Sequence, residues 1–227
     1  MDIILIAGLW LSRSIWSDVV AELERLGHRA LPVALPGVDD GSAAATLADQ
    51  VAAALEVVDG ADRPMVVGHS AACTLAWMVA DQRADAIESV VMIGGFPGAD
   101  GDAYGDFFPH VNGVMPFPGW EPFEGPDSAD LDEAGRDHIA SAAVAVPEGV
   151  SKGVVQLTDE SRLNVPIVLV CPEYSPEQAK KWIDAGDVPE LSAARRVSFV
   201  DMDSGHWPMV SRPVELAGIL DAASREE

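Results

Sequence analysis

Met65-Val66-Val67-Gly68-His69-Ser70-Ala71-Ala72-Cys73-Thr74-Leu75-Ala76-Trp77-Met78-Val79-Ala80 decides how this chain is read. A short apolar run, residues 65–67, passes without a linker into an apolar helical pattern that begins at Thr74. Between them stands a serine with small residues two places before it and two places after it. At a strand-to-helix turn this tight, larger flanking side chains would collide with the strand or the helix. Such a turn lifts the serine Oγ clear of the sheet and aims nearby backbone N–H groups at whatever the oxygen attacks. The usual pattern is Gly-x-Ser-x-Gly, and here Ala72 replaces the last glycine. The same residues also suit a plain strand–turn–helix with Ser70 as a helix cap, so the rest of the chain must decide.

Working outward, apolar runs of strand length recur at 3–7, 30–35, 90–93, 165–170 and 196–202. Helical spacing separates them: residues 14–26 before Gly27, 43–58, Ser70 to Arg83, 176–185, and 211–223 with Ser211 as the expected cap. Continuous apolar strands alternating with helices predict an α/β fold, with a mostly parallel sheet of about six strands and right-handed crossovers. The rhythm breaks after Phe96. Residues 97–126 are dense in proline, glycine and aromatic side chains, and 127–163 turn helical only in places, most clearly at Ile139–Val144. The expected organisation is a core of 1–96 and 164–227 with 97–163 inserted as a cap or lid after the fourth strand.

The 227 residues are 48% hydrophobic, enough for a large core without staples. Cys73 and Cys171 lie in apolar runs and read as buried reduced thiols, so neither a disulfide framework nor a metal site is expected. A formal net charge of −23 excludes nucleic acid as a partner and disfavours anionic membranes. With three lysines against eleven arginines, adaptation to high salt is a further reading of that acidity. The opening Met1-Asp2-Ile3 carries no basic leader, and no apolar stretch approaches the roughly 20 residues of a membrane span. The expectation is a cytoplasmic protein, monomeric or homodimeric, that acts on a small molecule without a cofactor.

Ligands of open parallel sheets bind outside the carboxyl ends of the strands. Gly8, Ser70, Gly94, Cys171 and the segment before His206 all fall at such ends. A serine hydroxyl needs a base, and histidine is the usual one near neutral pH. His69 is expected to point away from the serine's side of the turn, and His28 begins a strand. His110 and His138 lie in the insertion. His206, in Asp203-Ser204-Gly205-His206-Trp207-Pro208-Met209, sits in a loop whose glycine and proline suit a projecting imidazole.

These pieces together resemble the α/β-hydrolase superfamily. The resemblance rests on Ala7-Gly8-Leu9-Trp10, on Gly68–Ala72, and on Gly205-His206-x-Pro208-Met209-x₃-Pro213. The stretch from Val170-Cys171-Pro172-Glu173 to Trp182-Ile183-Asp184 is similar to the hydroxynitrile lyase and methyl-esterase branch. The chain begins at what is usually that family's third strand, so the leading antiparallel hairpin is expected to be missing. The resemblance implies Ser70 as nucleophile and His206 as base. It implies an oxyanion hole made by the N–H groups of Leu9 and Ala71. It aligns Tyr174, which cannot serve as the anion, with the family's usual acid. Glu173, one place earlier, is the first candidate. Asp100, Asp102, or no acid at all are the alternatives, while Asp201 and Asp203 are expected to shape the histidine loop. Trp10, Phe117, Trp120, Phe123 and Trp207 are expected to line an apolar or aromatic pocket. The implied activity is cleavage of a carboxylic ester, lactone or thioester through an acyl-enzyme. A proton-relay lyase of the hydroxynitrile type and a non-catalytic binding member are the other readings.

Overall fold

The computed structural model describes residues 1–225. The elements run β1 (Asp2–Ile6), α1 (Ser17–Arg25), β2 (Arg29–Pro32), α2 (Leu47–Asp59), β3 (Met65–His69), α3 (Ala72–Arg83) and β4 (Ser89–Ile93). An inserted stretch then carries β5 (Val114–Met115), α4 (Glu133–Ala142), β6 (Val146–Pro147) and α5 (Glu148–Ser151). The chain closes with β7 (Ile167–Cys171), α6 (Pro176–Ala185), α7 (Pro189–Ala193), β8 (Val197–Asp201), α8 (Pro208–Ser211) and α9 (Pro213–Ala223).

Six strands form one parallel sheet in the order β2-β1-β3-β4-β7-β8. The central strands β1, β3, β4 and β7 are almost wholly apolar because helices cover both faces, while the edge strands β2 and β8 carry Arg29, Ser198 and Asp201. Ile4, Ile6, Val66, Val90, Met92 and Leu169 point towards α2 and α3, and Ile3, Leu5, Val67, Val91 and Val170 towards α1 and α9. From β1 the chain crosses to one side, to β2, and from β3 to the other, to β4. Ligand crevices form at such a reversal of strand order. Here the neighbours are Ile6 and Gly68, so the segments after β1 and β3 emerge side by side.

Several boundaries differ from the sequence expectation for local reasons. The first helix opens with a 3-10 turn, Arg13–Trp16. The second starts only at Leu47, because Thr46 and Asp49 form a reciprocal capping box. The last helix is two. Arg212 takes φ −139°, ψ 47° before Pro213, since a residue preceding proline avoids the helical region. Ser211 therefore ends α8 instead of capping α9. In the insertion β5 and β6 pair as a two-stranded antiparallel ribbon that periodicity did not reveal.

The insertion is tied to the core at particular atoms. The Val144 N–H donates to the Trp10 carbonyl at 2.8 Å, and the Trp10 indole N–H donates to the Met115 carbonyl at 3.1 Å. Where the chain re-enters the core, a buried ion network holds it to α3 and α7. Arg162 reaches Asp81 at 3.3 Å and Glu190 at 2.9 Å, and Trp77 donates its indole N–H to Glu190 at 2.8 Å. Asp81 also accepts the backbone N–H groups of Thr158 and Asp159 at 2.9 and 2.8 Å.

Removing one member of such a buried network strands the others without a partner. Arg162→Ala should cost about 3–5 kcal/mol in urea unfolding. Arg63→Ala, which breaks the exposed pair with Glu88, should cost under about 1 kcal/mol. Equal losses in the two variants would refute this reading of the network.

Candidate active site

Ser70 sits between β3 and α3 with φ 57°, a left-handed conformation that costs a serine of order 1–3 kcal/mol. Its backbone is fixed on both sides. The Ser70 N–H donates to Ile93 at 2.8 Å, and the Ser70 carbonyl accepts from Cys73 at 3.0 Å. The turn leaves no room for neighbouring side chains. A Cβ at Gly68 would strike the Ala72 carbonyl, and one at Gly95 would strike the Ser70 backbone. One at Gly8 would come within 3.0 Å of the Ser70 Cβ and 2.9 Å of His69. Ala72, the departure from the usual motif, is fully buried in the first turn of α3, where its methyl fits.

His206 follows β8 in a loop held at three points. Its Nδ1–H donates to Glu173 Oε1 at 2.8 Å, a direction fixed because an ionised carboxylate only accepts. Its backbone N–H donates to the Asp127 carbonyl at 2.7 Å, and its carbonyl accepts from His69 Nε2 at 2.7 Å. Nε2 is thereby the imidazole nitrogen left for chemistry. Gly205 permits the close pass, since a side chain there would collide with the Asp127 backbone and the Asp130 carboxylate. Glu173 comes from the loop after β7 and is mostly buried. Burial first, and then the Glu173 charge, raises the carboxyl pKa of nearby Asp127, while His206 opposes the rise.

His69 departs from expectation. It does not turn away from the site but packs against His206, with ring centroids 4.9 Å apart. Because its Nε2 must donate to a carbonyl, its Nδ1 carries the lone pair, and that atom is buried without a partner. Burial, and secondly the charge of His206, pushes the His69 pKa down to about 3, so this ring stays neutral.

Ser70 and His206 share the wall of one chamber of about 230 Å³. Trp10, Phe117, Phe123 and Trp207 line it, joined by Leu9, Phe107 and Phe108. Trp10 organises that wall: its ring lies 5.5 Å from Phe108 and 5.5 Å from Phe117. Trp120 is not in the wall. It stands behind, edge-on to Trp207 at 5.2 Å, with the Arg136 guanidinium 5.4 Å from its ring. Leu9 and Ala71 flank the serine, and among the described residues neither backbone N–H has an acceptor. Asp100 and Asp102 are placed away from His206; they cap the backbone N–H groups of Leu157 and Ala99, each at 2.9 Å. Tyr174 stacks on Phe96 at 5.3 Å instead of facing the histidine. Cys73 and Cys171 are buried and unpaired, and burial pushes the Cys171 thiol up to about 12. A separate groove of about 470 Å³ at the amino ends of β4, β7 and β8 has no histidine or cysteine in its wall. No cluster that could hold a metal ion is found among the described residues, and no helix there is long and apolar enough to cross a membrane.

The sheet order, the elbow serine at the strand reversal and the histidine loop after the last strand define the class of protein. The alpha/beta hydrolase family model matches residues 3–219, and the chain belongs to that family. Among solved structures it is similar over its whole length to an extracellular alpha/beta-hydrolase from a Paenibacillus species. There the identity is 16%, both chains are covered completely, and the TM-score is 0.79. A pyrethroid hydrolase from Sphingobium faniae matches at 18% identity, with 99% of this chain and 98% of that one covered and a TM-score of 0.75. Tomato methylketone synthase I matches at 14% identity, with 98% and 97% covered and a TM-score of 0.73. A search of curated proteins gives no significant match.

The strain at Ser70 can be measured. Ser70→Gly should be more stable than Ser70→Ala by about 1 kcal/mol in chemical unfolding, because glycine adopts φ 57° freely. A Gly variant no more stable than the Ala variant would show that the turn is not strained.

Proposed function

We propose that the protein is a serine hydrolase that cleaves a carboxylic ester, lactone or thioester of a small apolar or aromatic molecule. The observation that carries this reading is the Glu173–His206 hydrogen bond of 2.8 Å, with His206 and the left-handed Ser70 in one aromatic chamber. Ser70 Oγ attacks the carbonyl carbon while His206 Nε2 takes its proton. The Glu173 carboxylate stabilises the imidazolium and fixes the ring. The N–H groups of Leu9 and Ala71 receive the negative charge as it forms on the carbonyl oxygen. Collapse of the tetrahedral state expels the alcohol, which takes its proton from His206. Water then attacks the acyl-enzyme, with His206 as base and Ser70 as leaving group. Residues 97–163 act as the cap that roofs this site. A proton-relay lyase has less support. Lys152 is paired with Glu148 and Lys180 lies over the Phe199 ring, and no lysine is in the chamber wall among the described residues.

Ser70→Ala should abolish turnover of short p-nitrophenyl esters and labelling by a fluorophosphonate; a labelled variant would refute the nucleophile. Glu173→Gln should lower kcat by about a hundredfold or more with KM little changed, since the imidazolium loses its counter-charge. Asp100→Asn should stay close to wild type in the same assay, and the reverse order would refute Glu173 as the acid.

His69 acts as a positioning residue. His69→Leu removes the N–H that holds the His206 carbonyl and should lower kcat about tenfold without raising KM. His69→Gln, which keeps a donor, should recover most of that loss. Since His69 is neutral above about pH 3, neither variant should move the pH at which activity rises. Equal activity of the two variants would refute the role.

A further inference from the structure

Ser70 lies at the junction of two chambers. The aromatic chamber has His206 in its wall. A wider one, about 540 Å³, opens on the other side and is walled by Ala71, Thr74, Gly95, Asp102 and Tyr104. Among the described residues two belong to both walls, Ser70 and Phe107. We propose that the wider chamber is a second substrate subsite, that Phe107 is the partition between the two, and that the substrate is a two-part ester with no anionic group. This inference rests on the hydrolase reading given above.

The carbonyl of a bound ester must stand at Ser70 Oγ, so its two substituents diverge from that point. One enters the aromatic chamber, which is bounded by rings and suits a compact apolar group. The other has the wider chamber. Phe107 stands where the two would otherwise merge. Its side chain is 64% exposed, yet its loop is pinned. The N–H groups of Tyr104 and Gly105 donate to Gly153 and Ser151 at 2.9 and 2.8 Å, and His110 Nε2 meets Ser151 Oγ at 2.7 Å. A lone exposed aromatic ring is unremarkable on a protein surface. A ring on an anchored loop, in contact with the cavities on both sides of a nucleophile, sets the shape of what binds.

Charge fixes the chemical class. Among the described residues no lysine or arginine lines either chamber, and the charged side chain of the wider one is Asp102. One Asp102 oxygen accepts the Ala99 N–H at 2.9 Å, which keeps the carboxylate in place. With a chain net charge of −23 behind it, this site repels carboxylate, phosphate and coenzyme-A-like groups and admits neutral or cationic ones.

The test compares kcat/KM for esters that join a ring to a chain ending in methyl, carboxylate or trimethylammonium. The ring is placed in the alcohol half in one series and in the acyl half in another. The anionic ester should be about tenfold poorer than the neutral one, and Asp102→Asn should recover most of the difference. Phe107→Ala should raise the ratio for a biphenylmethyl ester over a benzyl ester about tenfold, and Phe107→Leu should keep the wild-type ratio. Ratios unmoved from wild type in either Asp102→Asn or Phe107→Ala overturn the subsite and leave the hydrolase standing. A wild-type protein that turns over none of these esters overturns the hydrolase reading and the subsite with it.

Discussion

A serine held at φ 57° between a parallel strand and a helix is the constraint on which the rest of this structure depends. Nothing within the turn itself favours that conformation. It persists because β3 is hydrogen-bonded on both edges and α3 is buried on nearly every side, so the chain between them has one path. The path in turn dictates glycine at three separate places: Gly68 beneath the helix, Gly95 at the end of β4, and Gly8 at the end of β1. These positions are far apart in sequence but converge on one backbone segment. Local strain at a candidate site is thus held by contacts made across the whole sheet.

The histidine loop obeys a different logic. His206 is not held by regular structure but by three hydrogen bonds from three sources: the core acid Glu173, the turn residue His69, and the carbonyl of Asp127 in the insertion. The stretch between β4 and β7 therefore reaches the histidine itself. It supplies one of the bonds that orient the imidazole, and Trp10, next to Leu9, is tied to it at both backbone and indole. Movement of residues 97–163 would be felt at the histidine and beside the serine together.

Much of this was legible in the sequence. Continuous apolar strands between helical repeats can form little but a doubly covered parallel sheet, and chain order then places Ser70, Glu173 and His206 at strand ends. Glu173 sits one residue before the position the resemblance implies for the acid, and its carboxylate lies 2.8 Å from His206 Nδ1. What escaped had no periodic signal. His69 ends β3 on the face of Val67 and packs between Trp16 and His206, and the loop that brings His206 there comes from the far end of the chain. Phe107, Phe108 and Asp127 lie in an irregular segment whose contacts are all long-range. Trp120 had the composition of a pocket wall but is separated from the chamber by Phe117 and Trp207. The break at Arg212 was encoded by Pro213, whose effect on the preceding residue outweighs the helical pattern on either side.

The acidity of the chain bears on the chemistry through the neighbourhood of His206. Glu173 and Asp127 stand together behind the imidazole, and burial with mutual repulsion raises the Asp127 pKa. His69, neutral and donating to the backbone, adds no opposing charge. In the reaction proposed above the imidazolium forms as His206 takes the serine proton, so the Glu173 carboxylate beside it acts on charge that appears during attack. Catalysis gains only from such differences. A lysine or arginine beside the histidine would cancel the effect. On that proposal, the lack of lysine and arginine in the two walls among the described residues favours both the proton transfer and a substrate without an anionic group.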